Sequence, residues 1–480
     1  MGASTGKPRP IVVSGGGLAG NLAAISLANS LGQGFEIIQI MEPGAPPEDL
    51  VYGHAADPEI YNFLRRAGLG EPALILATGT SFSYGTEYRH WPGSGGWMQC
   101  HHAPFPTIAG IPLRHHITRA GLALEPFLIS AQAARAGRFA HPPSDPDNDL
   151  SGAEYGYQFD PAEWTAQLDQ LVAGSRVRRI TSPIVEVAIE DGLVSAIQLE
   201  NGQTVTADLF IDANGPSRRI IEAAGGRFRT ERTIRAGLSV RETQQPGPPC
   251  LTIEADAAGW TSKAHLQTAE RMIRVGADDA GAEAPSAVSI ALGELSEAWV
   301  GNCVAIGHAA SVIEPLTPAP MIMLRRDIER LLELVPASAG MTVERREFNR
   351  RFLEDVEHIR IFHDALFLSV SAPEEPYWQA AAASTENAKL QRKISQFGNR
   401  GILTSYDLEP FNEEDWTIAH MGLGRRPEHY DRQIDGLAAA ESDQALARMK
   451  QSIRQLVSKM PPHNVYLNRF KQYLRRQNHA

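Results

Sequence analysis

The chain has 480 residues, with 45 Lys and Arg against 56 Asp and Glu, giving a formal net charge of −11. Its 43% hydrophobic and 21% charged residues describe a folded protein of several structural units and exclude a disordered chain. The negative balance disfavours a nucleic-acid partner, because a phosphate backbone would be repelled.

Cys100, Cys250 and Cys303 fall in no CxxC or metal-ligand spacing, so reduced thiols and no metal site are expected. No apolar run reaches the roughly 18 residues of a membrane span, and no signal-peptide core is present. The expectation is a cytoplasmic protein without a membrane partner.

Ile11–Val13 is β-branched and continuous, as a buried parallel strand is. Glycines follow it, then an Ala- and Leu-rich stretch, Asn21–Leu31, that predicts a helix. Phe35–Ile40 predicts a second strand, and Glu42 stands just beyond it. A helix is expected over Glu59–Ala67. Trp91–Pro112, rich in Gly and Pro, reads as an irregular loop or lid, and Pro142–Gly152 as a surface loop.

Ala162–Val172 reads as a helix, and Arg176–Ile180, Ile184–Glu190 and Leu193–Leu199 as strands. Asn201-Gly202 signals a turn before Thr204–Val205. Leu209–Asp212 and Cys303–Ile306 read as short buried strands, separated by a mixed region with several strand candidates. Met321–Leu334, Glu347–Leu368 and Ser442–Lys459 are predicted helices.

Gly15-x-Gly17-x-x-Gly20 lies between the first strand and the first helix. The first glycine permits a tight turn, the second lets the backbone approach a diphosphate, and the third allows close helix–strand packing. Leu18 and Ala19 open the helix, whose free N–H groups face negative charge. Glu42 is placed for a ribose hydroxyl. Asp212-Ala213-Asn214-Gly215 and Gly307-His308-Ala309-Ala310 each follow a later strand. A first β-α-β unit completed by strands so far along the chain points to FAD, with large inserted segments.

Several stretches resemble the flavin-dependent tryptophan halogenases. They are Gly301–Leu316, Ala207–Asp212, Phe348-Asn349-Arg350-Arg351-Phe352, and Trp416–Tyr430 with Gly422-Leu423-Gly424. The resemblance covers nearly the whole chain. It implies an α/β fold: a Rossmann-like FAD-binding domain over 1–340, with substrate-facing insertions at about 71–165 and 230–295. A mostly helical substrate or cap region over 341–480 completes it. It also implies FAD as cofactor, reduced by a separate flavin reductase, with O2 as co-substrate and a small aromatic or indole molecule as substrate.

The departures bear on function. The family's catalytic lysine aligns with Ser83, and no Lys occurs between Lys7 and Lys263. A serine hydroxyl is neither basic nor cationic near neutral pH. The family's catalytic glutamate aligns with Thr317, which cannot accept a proton as a carboxylate does. Its halide loop reads Pro318-Ala319-Pro320-Met321, and proline has no N–H. Of its Trp-x-Trp-x-Ile-Pro signature only Trp260 is kept, and the acidic residue near Gly53 appears as His54.

The expected cofactor-binding residues are therefore Gly15, Gly17, Leu18, Ala19, Gly20, Glu42, His54, Asp212, Gly215, Gly307 and Ala309. No catalytic residue is assigned, and no metal ligands. His101-His102, His115-His116 and His363-Asp364 are expected to be structural or exposed. Three functions stay open: a reduced-FAD- and O2-dependent monooxygenase or oxidase, a halogenase using relocated residues, and a non-catalytic binding or scaffold protein.

Overall fold

The computed structural model describes residues 8–44, 49–143, 150, 153–277, 287–336, 341–368, 375–383 and 387–477. The expected loop Pro142–Gly152 lies mostly outside them.

Five strands run parallel in the order Arg178–Thr181, Phe35–Met41, Arg9–Ser14, Leu209–Asp212, Cys303–Ala305. Trp299–Val300 adds a sixth, antiparallel edge. The central strands are buried along their length, which is why they read as continuous apolar runs. Helix Leu18–Ser30 packs beside this sheet against helices Pro161–Ala173 and Ala319–Glu333. Both neighbours of the first strand, Phe35–Met41 on one side and Leu209–Asp212 on the other, come later in the chain, so the strand order reverses there. Such a switch point opens a crevice at the carboxyl ends of the strands.

A second sheet of eight strands runs Ser311–Val312, Val288–Leu295, Phe228–Glu242, Ala269–Ala277, Gly259–His265, Leu251–Asp256, Gly85–Arg89, Gly96–Cys100. Its Gly85–Arg89 strand pairs in parallel with Leu251–Asp256, so two distant segments share one sheet. Ile184–Glu190, Leu193–Leu199 and Thr204–Val205 form a separate antiparallel meander. From Thr342 onward the described regular structure is helical.

The expected irregular loop over Trp91–Pro112 is corrected. Gly96–Cys100 is a strand, Thr107–Ile108 and Ile111–Pro112 form a small hairpin, and helix Leu113–Ala120 follows. Trp91 and Trp97 are buried, with Trp97 stacked on Tyr88 at 4.2 Å between centroids. Glycine serves close pairing in this segment, not looseness: a Cβ built on Gly96 would lie 2.5 Å from Tyr88 O. The helices expected from Met321 and Glu347 begin earlier, at Ala319 and Thr342. Pro320 is tolerated because the first helical turn needs no N–H from it.

Candidate active site: a glycine crevice and an acid-lined cavity

The glycine turn sits at the switch point. Gly15 has φ +135°, and a Cβ there would lie 2.4 Å from Ala213 O. A Cβ on Gly20 would lie 2.2 Å from Gly15 O. The turn is therefore folded tightly against both the first helix and the loop after Asp212. Gly17 caps helix Leu18–Ser30 with extended backbone, and no acidic side chain occupies the helix's first turn. The partial positive charge of that end, on Leu18, Ala19 and Gly20, is not neutralised by the helix's own first turn.

The other expected residues gather nearby with different loads. Ser14 and Asn214 side chains join the first strand end to the Asp212 loop, with Asn214 Nδ2 at 2.8 Å from Ser14 Oγ. The Asp212 carboxylate accepts the N–H groups of Ile220 (2.8 Å) and Ile221 (2.9 Å), and so caps the short helix Arg219–Ala223. Gly215, at φ +62°, has open space where a Cβ would project. Glu42 is exposed and pairs with Arg219 at 3.1 Å.

Gly307 has φ +57° and donates its N–H to Asp327 Oδ2 at 2.9 Å. A Cβ on Gly307 would lie 2.5 Å from Tyr52 Oη and 3.2 Å from Ala19 Cβ, so this loop meets the start of the first helix. Ala309 is buried behind it. His308 stacks on Tyr52 at 3.8 Å and bonds Asp49 at 2.6 Å.

The segment Leu50–Gly53 then reaches Pro315: a Cβ on Gly53 would lie 2.9 Å from Pro315 Cβ. His54 follows, buried, with neither ring nitrogen bonded among the described residues. Burial first, and the Arg271 charge second, push its pKa down to about 3, so the ring is neutral.

Beyond this segment, where the large sheet meets the helices, lies a cavity of about 120 Å³. Tyr88, Phe362 and Phe411 give it aromatic walls, and Phe362 stacks on Phe411 at 3.9 Å. Asp57, Glu59, Glu154 and Asp415 give it carboxyl groups, and among the described residues no Lys or Arg lines it. Burial raises the pKa of Asp57 and Glu154, and pushes Asp415 up to about 7 with help from the Glu414 and Asp57 charges. His101 also lines the cavity, and burial pushes it down to about 4.

Thr317 lines the cavity; Ser83 does not. The Ser83 hydroxyl is buried and closed on Gly85, donating to its carbonyl at 3.0 Å and accepting its N–H at 3.2 Å. Thr317 Oγ1 lies 2.8 Å from His363 Nε2 and accepts the Ala319 N–H at 3.2 Å. Met321 and Ile322 N–H groups both go to Pro318 O at 3.0 Å. Trp260 Nε1 lies 2.7 Å from both Glu314 Oε1 and Tyr377 Oη, and Glu314 also pairs with Arg232. The stretch Gly301–Leu316 displayed Glu314 and the pair His363-Asp364 displayed His363, but their partners come from distant elements that no spacing reveals.

The parallel sheet, the glycine turn at its switch point and the helix N-terminus beside it make an α/β fold of the dinucleotide-binding type, with a separate aromatic and acidic cavity beyond the Leu50–His54 segment. The family model for tryptophan halogenase matches residues 10–439, and the chain belongs to that family. Tryptophan 6-halogenase SttH of Streptomyces toxytricini is 22% identical over 96% of this chain and 98% of its own length. BrvH, a flavin-dependent halogenase from Brevundimonas sp. BAL3, superposes with a TM-score of 0.87 at 26% identity, over 96% of this chain and 99% of that one. Xcc4156, a flavin-dependent halogenase from Xanthomonas campestris, shares the fold with a TM-score of 0.88 at 24% identity over 97% and 98%. Among the described residues no helix is long and apolar enough to cross a membrane, and no His, Cys, Asp or Glu group could hold a metal ion.

Proposed function

We propose that the protein is an FAD-dependent oxygenase or oxidase that takes reduced flavin from a separate reductase and uses O2 on a small aromatic molecule. The crevice fits the ADP half of FAD. A Cβ at Gly15 or Gly20 would collide with backbone, and the helix end beside them is free of acidic side chains. Gly15, Gly17, Leu18, Ala19 and Gly20 would hold the diphosphate and Glu42 the ribose. The Asp212–Gly215 loop, Gly307 and Ala309 would flank the flavin half, with His54 on the segment that leads to the cavity. Bound there, FAD supplies the reducing electrons that activate O2.

One observation argues for oxygenation over halogenation. In the loop Thr317–Met321, Pro318 and Pro320 have no N–H, the Ala319 N–H is given to Thr317, and the Met321 N–H to Pro318. No backbone donor between 318 and 321 is left for a halide, and each missing charge-assisted bond forfeits about 1.5–3 kcal/mol. The cavity lining also lacks the amine of the family's lysine: the nearby Arg325 is already paired with Asp57 and Glu59. What the cavity does offer is aromatic walls that orient a ring and exclude water.

The test couples the purified protein, FAD and a flavin reductase with NADH, indole or phenol, and sodium bromide. The expected result is oxygenated product or released peroxide with O2 uptake, and no brominated product. Brominated indole or phenol would overturn the reading.

A further inference from the structure

The cavity lining carries charge of one sign. Asp57, Glu59, Glu154 and Asp415 supply its carboxyl groups, and among the described residues only His101 and His102 of the lining could become cationic. Burial lowers the pKa of both rings, that of His101 to about 4, so neither carries charge at neutral pH. The guanidinium groups behind the wall are already committed. Arg325 is shared by Asp57 at 3.4 Å, Glu59, and Glu329 at 2.9 Å. Arg326 is held by Asp355 at 2.5 Å and Leu408 O at 2.7 Å. Nothing in the lining can therefore meet a negative group, and several carboxyls can meet a positive one.

Two polar atoms of the same wall lack partners among the described residues. Asp57 Oδ1 is buried and accepts no hydrogen bond. Thr86, on strand Gly85–Arg89, is 3% exposed and lines the cavity, and its hydroxyl makes no hydrogen bond. Buried polar atoms of this kind cost free energy until a bound group meets them. Both can accept an N–H, and Tyr88, Phe362 and Phe411 offer ring faces that favour a cation as well as an aromatic ring.

We propose that the cavity takes an aromatic amine in its ammonium form and rejects one that also carries a carboxylate. This deepens the oxygenase reading by naming its substrate class, and rests on that reading for turnover but not for binding. The ring lies among Tyr88, Phe362 and Phe411, and the ammonium gives its protons to Asp57 Oδ1 and Thr86 Oγ1. A free amino acid is excluded by its own carboxylate, which would enter a wall of like charge with no cation to receive it. Selectivity thus comes from the repulsive element as much as from the attractive one.

The experiment titrates the full-length protein in excess FAD at pH 7.5 with tryptamine, indole, tryptophan and indole-3-acetate, read by calorimetry. Tryptamine is expected to bind at least about tenfold tighter than indole, the effect of one charge-assisted hydrogen bond, and at least about tenfold tighter than tryptophan or indole-3-acetate. Asp57→Asn keeps the shape and removes the charge; it should weaken tryptamine about tenfold and leave indole unchanged. Thr86→Val disturbs no existing hydrogen bond and should weaken tryptamine about threefold, again sparing indole. A variant that folds poorly would weaken both ligands, so the ratio of the two is the quantity read.

Tryptophan or indole-3-acetate binding as tightly as tryptamine overturns the inference. So does a tryptamine-to-indole ratio that neither substitution lowers, or failure of all four compounds to bind. Turnover with the reductase separates this inference from the oxygenase reading. Oxygenated indole without any preference for tryptamine sinks the substrate class and leaves the oxygenase standing. Selective tryptamine binding without oxygenated product supports the substrate class and sinks the oxygenase.

Discussion

The crevice and the cavity hold their chemistry in different ways. At the crevice the backbone itself is the site: Gly15 and Gly20 lie so close to Ala213 O and Gly15 O that no side chain fits. At the cavity the backbone is only a frame, and side chains such as Thr317, Asp415 and His101 form the lining. A change in the first region breaks the fold locally, so the glycine pattern persists with the fold. A change in the second swaps one chemistry for another while the strands and helices stay in place. That contrast explains how a chain can belong to the tryptophan halogenase family and yet carry Ser83 and Thr317 where the resemblance expects lysine and glutamate.

The largest expected effect tests the crevice. Gly20→Val places a Cβ 2.2 Å from Gly15 O and 2.6 Å from Gly15 C, both backbone atoms that cannot swing away. It should destabilise the protein by about 1–3 kcal/mol in urea unfolding and weaken FAD binding at least roughly tenfold in a fluorescence titration. Ser83→Ala is the counterpart. It loses two local hydrogen bonds to Gly85, a cost of about 1 kcal/mol, and should leave FAD affinity unchanged. Equal effects of the two on FAD would erase the distinction between the regions.

A smaller effect sharpens what the cavity selects. Desolvation first, then the Glu414, Asp57 and Glu154 charges, push the carboxyl of the half-buried Asp415 up to about 7. As pH rises from 6 to 8 its carboxyl loses a proton, and the cavity becomes more negative. Tryptamine, cationic over this range, should bind roughly threefold to tenfold tighter at pH 8 than at pH 6. Neutral indole should show no such change, and Asp415→Asn should abolish the tryptamine trend. Calorimetric titrations at the two pH values measure it. A tryptamine affinity that falls with pH would mean the carboxyls do not face the ligand.

The crevice was legible in the sequence because its signals are local. A strand, three glycines, a helix and an acid stand in order within Ile11–Glu42, and each reports on its own backbone. The short buried strands read at Leu209–Asp212 and Cys303–Ile306 were legible too, as continuous apolar runs, but the order in which they enter the sheet was not. Gly96–Cys100 was misread because glycine signals both looseness and close pairing, and only the neighbouring strand shows which applies. The cavity was largely illegible. Thr317 meets His363 and Gln99 meets Asp415 O across long stretches of chain, and no spacing rule brings such pairs together. The alignment placed Ser83 at a family catalytic position, but only the structure closes its hydroxyl on Gly85 and leaves it out of the cavity lining.

The smallest effect concerns the seam between the two regions, where Gly53 packs on Pro315 and His54 follows. His54 is buried, neither ring nitrogen has a partner among the described residues, and its pKa is pushed from 6.5 to about 3. The unfolded chain thus binds a proton between these values that the folded chain refuses. Below pH 6.5 the wild type should lose stability through this residue by about 1.4 kcal/mol per pH unit, and above it the contribution is flat. His54→Phe removes the titration. It also removes two unsatisfied polar atoms, so the variant should be at least as stable as the wild type at pH 7.5. Its margin over the wild type should then widen as pH falls through 6 to 5, read from urea midpoints without flavin. Other buried groups titrate identically in both proteins and cancel from that difference. A margin that stays constant with pH would show that His54 is solvated in solution, and the seam would then be an open channel between crevice and cavity instead of a packed wall.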